Sequence, residues 1–125
     1  MLLSGLAAEA VAFGDYGDGG GGADDCDLKR ATLISATLQT SYGLGDDLVY
    51  LTSNSPVDVL SRVQADRFLH RRIAKELASC FQRATEIVGE NSVSFKDIVK
   101  ALERSEVIVA ADVERIVNAN RVAVV

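Results

Sequence analysis

Apolar residues recur every three or four positions along most of the chain, which is the spacing expected of amphipathic helices. The first such segment covers residues 1–13 and predicts a mostly buried helix that Gly14 ends. A second helical segment continues to Gly43, a residue type that suits a left-handed helix end. We expect Asp24 or Asp25 to cap the start of this second helix by accepting backbone N–H groups.

Two stretches interrupt the helical pattern. Residues 14–22 contain six glycines, and we expect residues 14–24 to form a flexible loop rich in Gly and Asp. The three- to four-residue spacing is lost again between Leu44 and Asn54. Within that stretch, residues 48–51 are apolar and β-prone, which predicts one short strand or an extended loop.

The helical spacing resumes at Ser55 and Pro56 and continues to Val88. Serine is a typical helix cap, and the only proline of the chain stands at the first helical position, where a missing N–H is tolerated. The pattern fits one long helix or two helices with a break near Asp66.

A fourth helix is predicted to restart at Ser94, and apolar positions within residues 113–117 mark a short fifth helix. The predicted fold class is therefore all-α, with about five helices and at most one short strand. A chain of 125 residues with 48% hydrophobic content can bury one compact core but is too short for an ATPase module as well. We accordingly expect a single domain over residues 1–125.

Composition excludes several classes of partner. The net charge is -5 and no basic cluster lies beside aromatic residues, which argues against nucleic acid. No apolar run approaches the roughly 20 residues that span a bilayer, so we expect no direct membrane contact by this segment. Cys26 and Cys80 are too few for a disulfide framework, and reduced thiols in an intracellular compartment are expected, with Cys80 in the core.

Three residues stand out as candidates for function. Asp27 falls in the opening turn of the second helix, where a carboxylate can complement the helix dipole or bind a metal ion. Glu9 places a charge on an otherwise apolar helix and therefore needs a partner. His70 is the only histidine and is expected to be a partly exposed helix residue. It lies roughly 15 Å along the helix from Cys80, so the two cannot share one metal ion.

Several short motifs follow one another in a fixed order. Residues 5–9 read GLAAE, residues 13–14 read Phe-Gly, and residues 22–32 read GADDCDLKRAT. This order resembles the peptidase domain of the FtsH-type ATP-dependent zinc metalloproteases, where Gly-x-Ala-Ala-Glu, Phe-Gly and Thr-Gly-Ala-x-Asn-Asp-Leu-x-x-Ala-Thr occur in turn. Residues 81–88 and 98–108 resemble the helical tail of that domain, so the likeness covers nearly the whole chain.

The resemblance implies roles for two of the candidate residues. Asp27 matches the aspartate that serves as the third zinc ligand in the family. Glu9 matches a glutamate near the zinc-binding helix, and a plain surface role is the alternative. The other zinc ligands of the family come from a His-Glu-x-x-His helix, which this sequence lacks because His70 is its only histidine. We therefore interpret the chain as the C-terminal portion of a zinc-peptidase domain, with no catalytic residue in this segment.

Family resemblance also sets the expected function. The chain would be part of an ATP-dependent zinc metalloendopeptidase that degrades proteins, and it would be inactive as an isolated segment. Zinc would require upstream histidines, and ATP would bind only to an AAA+ module outside this segment. A homo-oligomer in the form of a hexameric ring is expected. The expected location is cytoplasmic, or on the cytoplasmic face of a membrane through a region outside this segment.

The alternative is a non-catalytic helical module for oligomerisation or adaptor function, derived from such a peptidase. An apolar stripe of Leu2, Leu6 and Val11 on the first helix motivates it, because an exposed stripe drives association. This module would form an oligomer that does not depend on zinc.

Overall fold

The computed structural model describes residues 1–14, 17 and 22–123. These residues form six helices and no strand, which confirms the all-α prediction. Residues 48–51 lie in an irregular loop. The six helices are α1 (Ser4–Phe13), α2 (Asp27–Thr40), α3 (Pro56–Ala65), α4 (Arg67–Glu90), α5 (Ser92–Ser105) and α6 (Ala110–Ala123).

Asp66 separates α3 from α4, so the long helical segment is two helices. Its backbone is extended, with a φ of -115° and a ψ of 105°. Its carboxylate then accepts the N–H groups of Phe68 and Leu69 at 3.0 and 3.1 Å. The same side chain pairs with Arg62 of α3 at 3.1 Å. One aspartate therefore ends the first helix and caps the second.

The cap predicted for α2 is wrong. Cys26 is the residue with extended backbone directly before the helix, and its Sγ accepts the N–H of Lys29 at 3.4 Å. Asp24 instead pairs with Nζ of the same lysine at 3.1 Å. The capping side chain is the one that stands directly before the first helical residue. Asp24 and Asp25 lie one to two residues before that position.

Glycines stand near the ends of the first two helices, as predicted. Gly14 has a φ of 78°, and its N–H donates to the carbonyl of Ala10 at 2.9 Å, which closes α1. The helix α2 ends at Thr40, slightly before Gly43. Gly43 has a φ of 62°, a left-handed conformation that favours glycine.

The later helix boundaries differ from the prediction by a few residues. Helix α4 continues through Gly89, and α5 begins at Ser92 rather than Ser94. Ser55 does precede α3, but in the described structure its hydroxyl makes no capping hydrogen bond. The hydroxyl of Ser53 donates to Asp58 in the first turn at 2.6 Å instead.

The chain divides into two compact units, Met1–Thr85 and Glu86–Val125, which we call unit 1 and unit 2. The expectation of a single domain stays a prediction. Most of the loop predicted over residues 14–24 lies outside the described residues.

Unit 1 is held together by two clusters of buried apolar side chains. The first joins α2, α3 and α4 through Ala36, Val59, Val63, Leu69 and Ile73. Burial of such side chains is the main stabilising contribution in a domain of this size.

The second cluster joins the N-terminal segment to α2 through Leu3, Leu6 and Ala31. Leu77 of α4 packs against both clusters. The predicted exposed stripe on the first helix is therefore wrong at Leu6, which is buried, while Leu2 packs against this cluster as a partly buried side chain. The packing partners of the first helix are the other helices of unit 1.

Unit 2 is built on a packed pair of helices, α5 and α6. Ser94 of α5 is buried, and the side-chain amide of Asn120 on α6 donates to Asp97 on α5 at 3.1 Å. This hydrogen bond links the two helices.

Candidate functional site

Asp27 is the first residue of α2 and its side chain is exposed. Helix α2 is anchored one turn later by Ala31, which is buried against Leu3 and Leu6. Within the described residues, the carboxylate of Asp27 takes part in no hydrogen bond or ion pair. An anchored helix start therefore presents a carboxylate that is available to a ligand.

The structure shows whether the residues present could hold a zinc ion. Peptidase zinc sites use three protein ligands and keep one position open. Among the residues that the structure describes, no group of three or more His, Cys, Asp or Glu side chains could hold a metal ion. Asp27 is a chemically suitable single ligand, but the described residues do not complete a zinc site.

Glu9 has the partner that its position on an apolar helix requires. Its Oε2 accepts the backbone N–H of Gly17 at 2.8 Å. This bond ties α1 to a residue of the glycine-rich segment that leads toward Asp27. A hydrogen bond from an amide to a carboxylate is stronger than one between neutral groups.

The two remaining candidates have different outcomes. His70 is exposed on α4, in line with the prediction. Cys80 is also exposed, so its expected place in the core is wrong. Leu69, Ile73 and Leu77 form the core face of α4, and Cys80 lines an open groove of about 300 Å³ between α2 and α4. Both Cys26 and Cys80 are free thiols.

A polar cluster between α2 and α4 was not found from the sequence. The hydroxyl of Ser35 and the side-chain amide of Gln39 both donate to Oε2 of Glu76, the amide at 2.9 Å. The only available signal was the i, i+4 spacing of Ser35 and Gln39, which places both on one helix face. The cluster joins two helices beside the apolar groove.

No helix in the described part of the chain is long and apolar enough to cross a membrane.

Comparison with known proteins identifies the protein family to which this chain belongs. Residues 1–116 match Peptidase family M41, so the chain belongs to that family. The resemblance derived from the short motifs is thereby confirmed.

Several relatives are described as ATP-dependent zinc metalloprotease FtsH or FtsH 2. That of Aster yellows witches'-broom phytoplasma (strain AYWB) is 30% identical over 123 residues, covering 98% of this chain and 18% of the relative. FtsH 2 of Phytoplasma mali (strain AT) is 31% identical over 119 residues, covering 94% and 16%. That of Neorickettsia risticii (strain Illinois) is 29% identical over 105 residues, covering 82% and 16%. No solved structure matches.

The chain thus spans less than a fifth of the length of these relatives. Family membership applies to this segment, whereas the activity, substrates and partners of a whole protease remain to be proposed for it.

Proposed function

We propose that this chain is part of an ATP-dependent zinc metalloendopeptidase that degrades proteins. The observation that carries the proposal is the match to Peptidase family M41 over residues 1–116. The carboxylate of Asp27 supports it, because it is exposed at an anchored helix start and has no hydrogen bond or ion pair within the described residues.

In this proposal Asp27 supplies one zinc ligand, and two histidines from outside this sequence supply the others. The chemistry that zinc provides in such sites is a water of lowered pKa and a polarised scissile carbonyl. The contribution of this chain is positional: the core around Ala31 holds the start of α2, and the helix dipole favours a carboxylate at that end.

Glu9 is proposed to act through the backbone rather than as a ligand. Its bond to the N–H of Gly17 ties α1 to a residue that lies ten positions before Asp27 in the chain.

The remaining features come from the family resemblance and from the printed names of the relatives. ATP would bind to an AAA+ module outside this segment, and protein substrates would be unfolded there. Copies of the protein would assemble as a hexameric ring. The expected location is the cytoplasm or the cytoplasmic face of a membrane, with any anchor in a region outside this segment.

The isolated chain of 125 residues should not hydrolyse peptides, because it has a single histidine and the residues that the structure describes do not complete a zinc site. The test is digestion of casein by the purified chain with and without a chelator. Casein cleavage that the chelator abolishes would contradict the proposal.

A second candidate is a non-catalytic module for oligomerisation, derived from such a peptidase. The large exposed apolar side chains of the loop after α2 favour it, because surfaces of this kind mark contacts between proteins. The two functions differ in the size of the natural product. An immunoblot of source cells that shows a band several times larger than 13.3 kDa supports the protease, and a band at 13.3 kDa supports the module.

A further inference from the structure

The open groove between α2 and α4 lies entirely within unit 1 and has a mostly apolar lining. We call it the α2–α4 groove. The large apolar side chains that line it are Leu2, Leu3, Ile34, Leu38 and Leu77. Cys80 and Ala84 also line it, and such small side chains allow another helix to approach closely. A volume of about 300 Å³ and an apolar lining are typical of sites where another group binds.

One charged side chain lies in this apolar lining, and α2 holds it in place. Oε2 of Glu76 accepts hydrogen bonds from the hydroxyl of Ser35, which is buried, and from the side-chain amide of Gln39. Within the described residues, Oε1 of Glu76 takes part in no hydrogen bond. The α2–α4 groove therefore presents an oriented carboxylate with one oxygen available to a ligand.

The negative charge of Glu76 has no counter-ion in the described structure. Arg72 lies one turn before Glu76 on α4 but pairs with Asp46 at 3.1 Å. Ser35 and Gln39 are neutral donors, so they orient the carboxylate without cancelling its charge. A segment that covers the groove removes water from this carboxylate, which is unfavourable unless the segment brings a positive charge. The groove is therefore suited to an apolar partner with one basic side chain.

The secondary structure around the groove favours a helical partner. The described residues contain no strand, so an extended segment would find no sheet edge with which to pair its backbone groups. A helix makes its backbone hydrogen bonds internally and presents apolar side chains at three- to four-residue spacing. The space between two packed helices receives such a face.

We propose that the α2–α4 groove binds an apolar helix from the part of the longer protease that lies outside this sequence, and that a lysine or arginine of this helix pairs with Oε1 of Glu76. This contact rests on the proposed function, since it requires the longer protein. Glu76 has no part in the zinc site proposed for Asp27, so the contact is separate from the metal chemistry.

The rest of the protease suits the groove better than a second copy of this chain does. The chain spans less than a fifth of the relatives that it matches, so most of the proposed protease lies outside it. Met1 and Leu2 line the groove, and residues joined before Met1 would start beside it. Such a segment stays near the groove at a high effective concentration. A second copy carries a net charge of -5, which opposes its approach to a carboxylate.

The first test is the reaction of Cys80 with iodoacetamide, because this exposed thiol lines the groove. Mass spectrometry of the tryptic peptide 76–83 gives the rate. In the longer protease Cys80 should react at least about a hundredfold more slowly than in the isolated chain, because the groove must first open. The matched control is Ala78→Cys combined with Cys80→Ser. Residue 78 is exposed on α4 and does not line the groove, so its thiol should react at similar rates in both proteins.

The second test removes the charge of Glu76. In the longer protease, Glu76→Gln should raise the labelling rate of Cys80 by about tenfold or more, because the basic side chain of the bound helix then lies buried without its counter-ion. In the isolated chain the same substitution should change the rate by less than about twofold, since water and salt screen the exposed carboxylate. Glu90→Gln, at an exposed residue that ends α4, is the control and should have no effect in either protein.

Four outcomes would overturn the proposal. Cys80 could react equally fast in the longer protease and in the isolated chain, or the control thiol at residue 78 could be protected as strongly as Cys80. Glu76→Gln could leave the labelling rate in the longer protease unchanged. Protection could also appear in the isolated chain at rising concentration, or only when casein is added, which would make a second copy or a substrate the partner.

These outcomes are distinct from failure of the proposed function. A natural product of 13.3 kDa, or a longer protein that binds no zinc, would contradict the protease. The labelling of Cys80 depends on neither zinc nor proteolysis. A zinc-binding protease in which Cys80 reacts freely would therefore overturn the helix contact alone.

Discussion

Replacing Ile73 by alanine tests the packing that holds α4 against α2 and α3. Ile73 is 3% exposed and lies in the cluster formed by Ala36, Val59, Val63 and Leu69. The substitution removes three carbons, worth about 2.4 kcal/mol at roughly 0.8 kcal/mol for each buried group. The cavity left behind adds to this, so the expected loss is about 3 to 4 kcal/mol.

Ile34→Ala is the matched control, because Ile34 is also in a helix of unit 1 but is 55% exposed. Its expected loss is about 1 kcal/mol, since less than half of the side chain leaves water on folding. The gain in helix propensity is the same for both variants and cancels.

The assay is urea unfolding followed by circular dichroism, with the two variants compared under identical conditions. The Ile73→Ala variant should be less stable than Ile34→Ala by about 2 kcal/mol or more, a large share of the total stability of a small domain. Equal losses for the two variants would refute the packing described for α4.

Two further predictions use the same unfolding assay. Gly43→Ala should lower the free energy of unfolding by about 1 to 2 kcal/mol, because the φ of Gly43 is 62° and therefore left-handed. Gly89→Ala should instead raise it by up to about 1 kcal/mol, because Gly89 is helical and no described atom crowds the added Cβ. A Gly43→Ala variant as stable as Gly89→Ala would contradict this assignment. Cys26→Ser should exceed Cys26→Ala in stability by about 0.5 to 1 kcal/mol, because Ser keeps an acceptor for the N–H of Lys29. Equal stability of the two Cys26 variants would show that the cap contributes nothing.

The break at Asp66 is a feature that the spacing of apolar residues alone could not decide. Apolar spacing continues across Asp66, so the pattern fitted one helix as well as two. The outcome depends on a local hydrogen bond, since the carboxylate of Asp66 caps α4 only when its own backbone leaves the helix. A side chain that bonds to backbone N–H groups competes with continuation of the helix, and the spacing of apolar residues carries no information about this competition.

The predictions for the cap of α2 and for the burial of Cys80 were wrong for related reasons. Residue type ranks aspartate above cysteine as a cap, but the helix boundary at Asp27 makes Cys26 the capping residue. Cys80 lies between Leu77 and Ala84 along α4. The residues of α4 that pack against the two core clusters are instead Leu69, Ile73, Leu77 and Phe81, and the groove that Cys80 lines stays open. A face of a long helix is buried only where another element packs against it.

The candidate site was predictable in one part only. The position of Asp27 at the start of an anchored helix follows from the glycine-rich segment and the apolar spacing of α2. The other ligands of the proposed zinc site could not be located, because the sequence contains a single histidine, and that residue is exposed on α4. The polar cluster at Glu76 was also missed, since it joins residues about 40 positions apart.

The most direct test of the account is the zinc content of the longer protease to which we propose that this chain belongs. Asp27→Asn is compared with the unchanged protein and with Asp25→Asn, an exposed carboxylate just before the helix. The account predicts that the unchanged protein and Asp25→Asn bind zinc and cleave casein, whereas Asp27→Asn loses both properties. Full zinc content and full proteolysis in Asp27→Asn would contradict it.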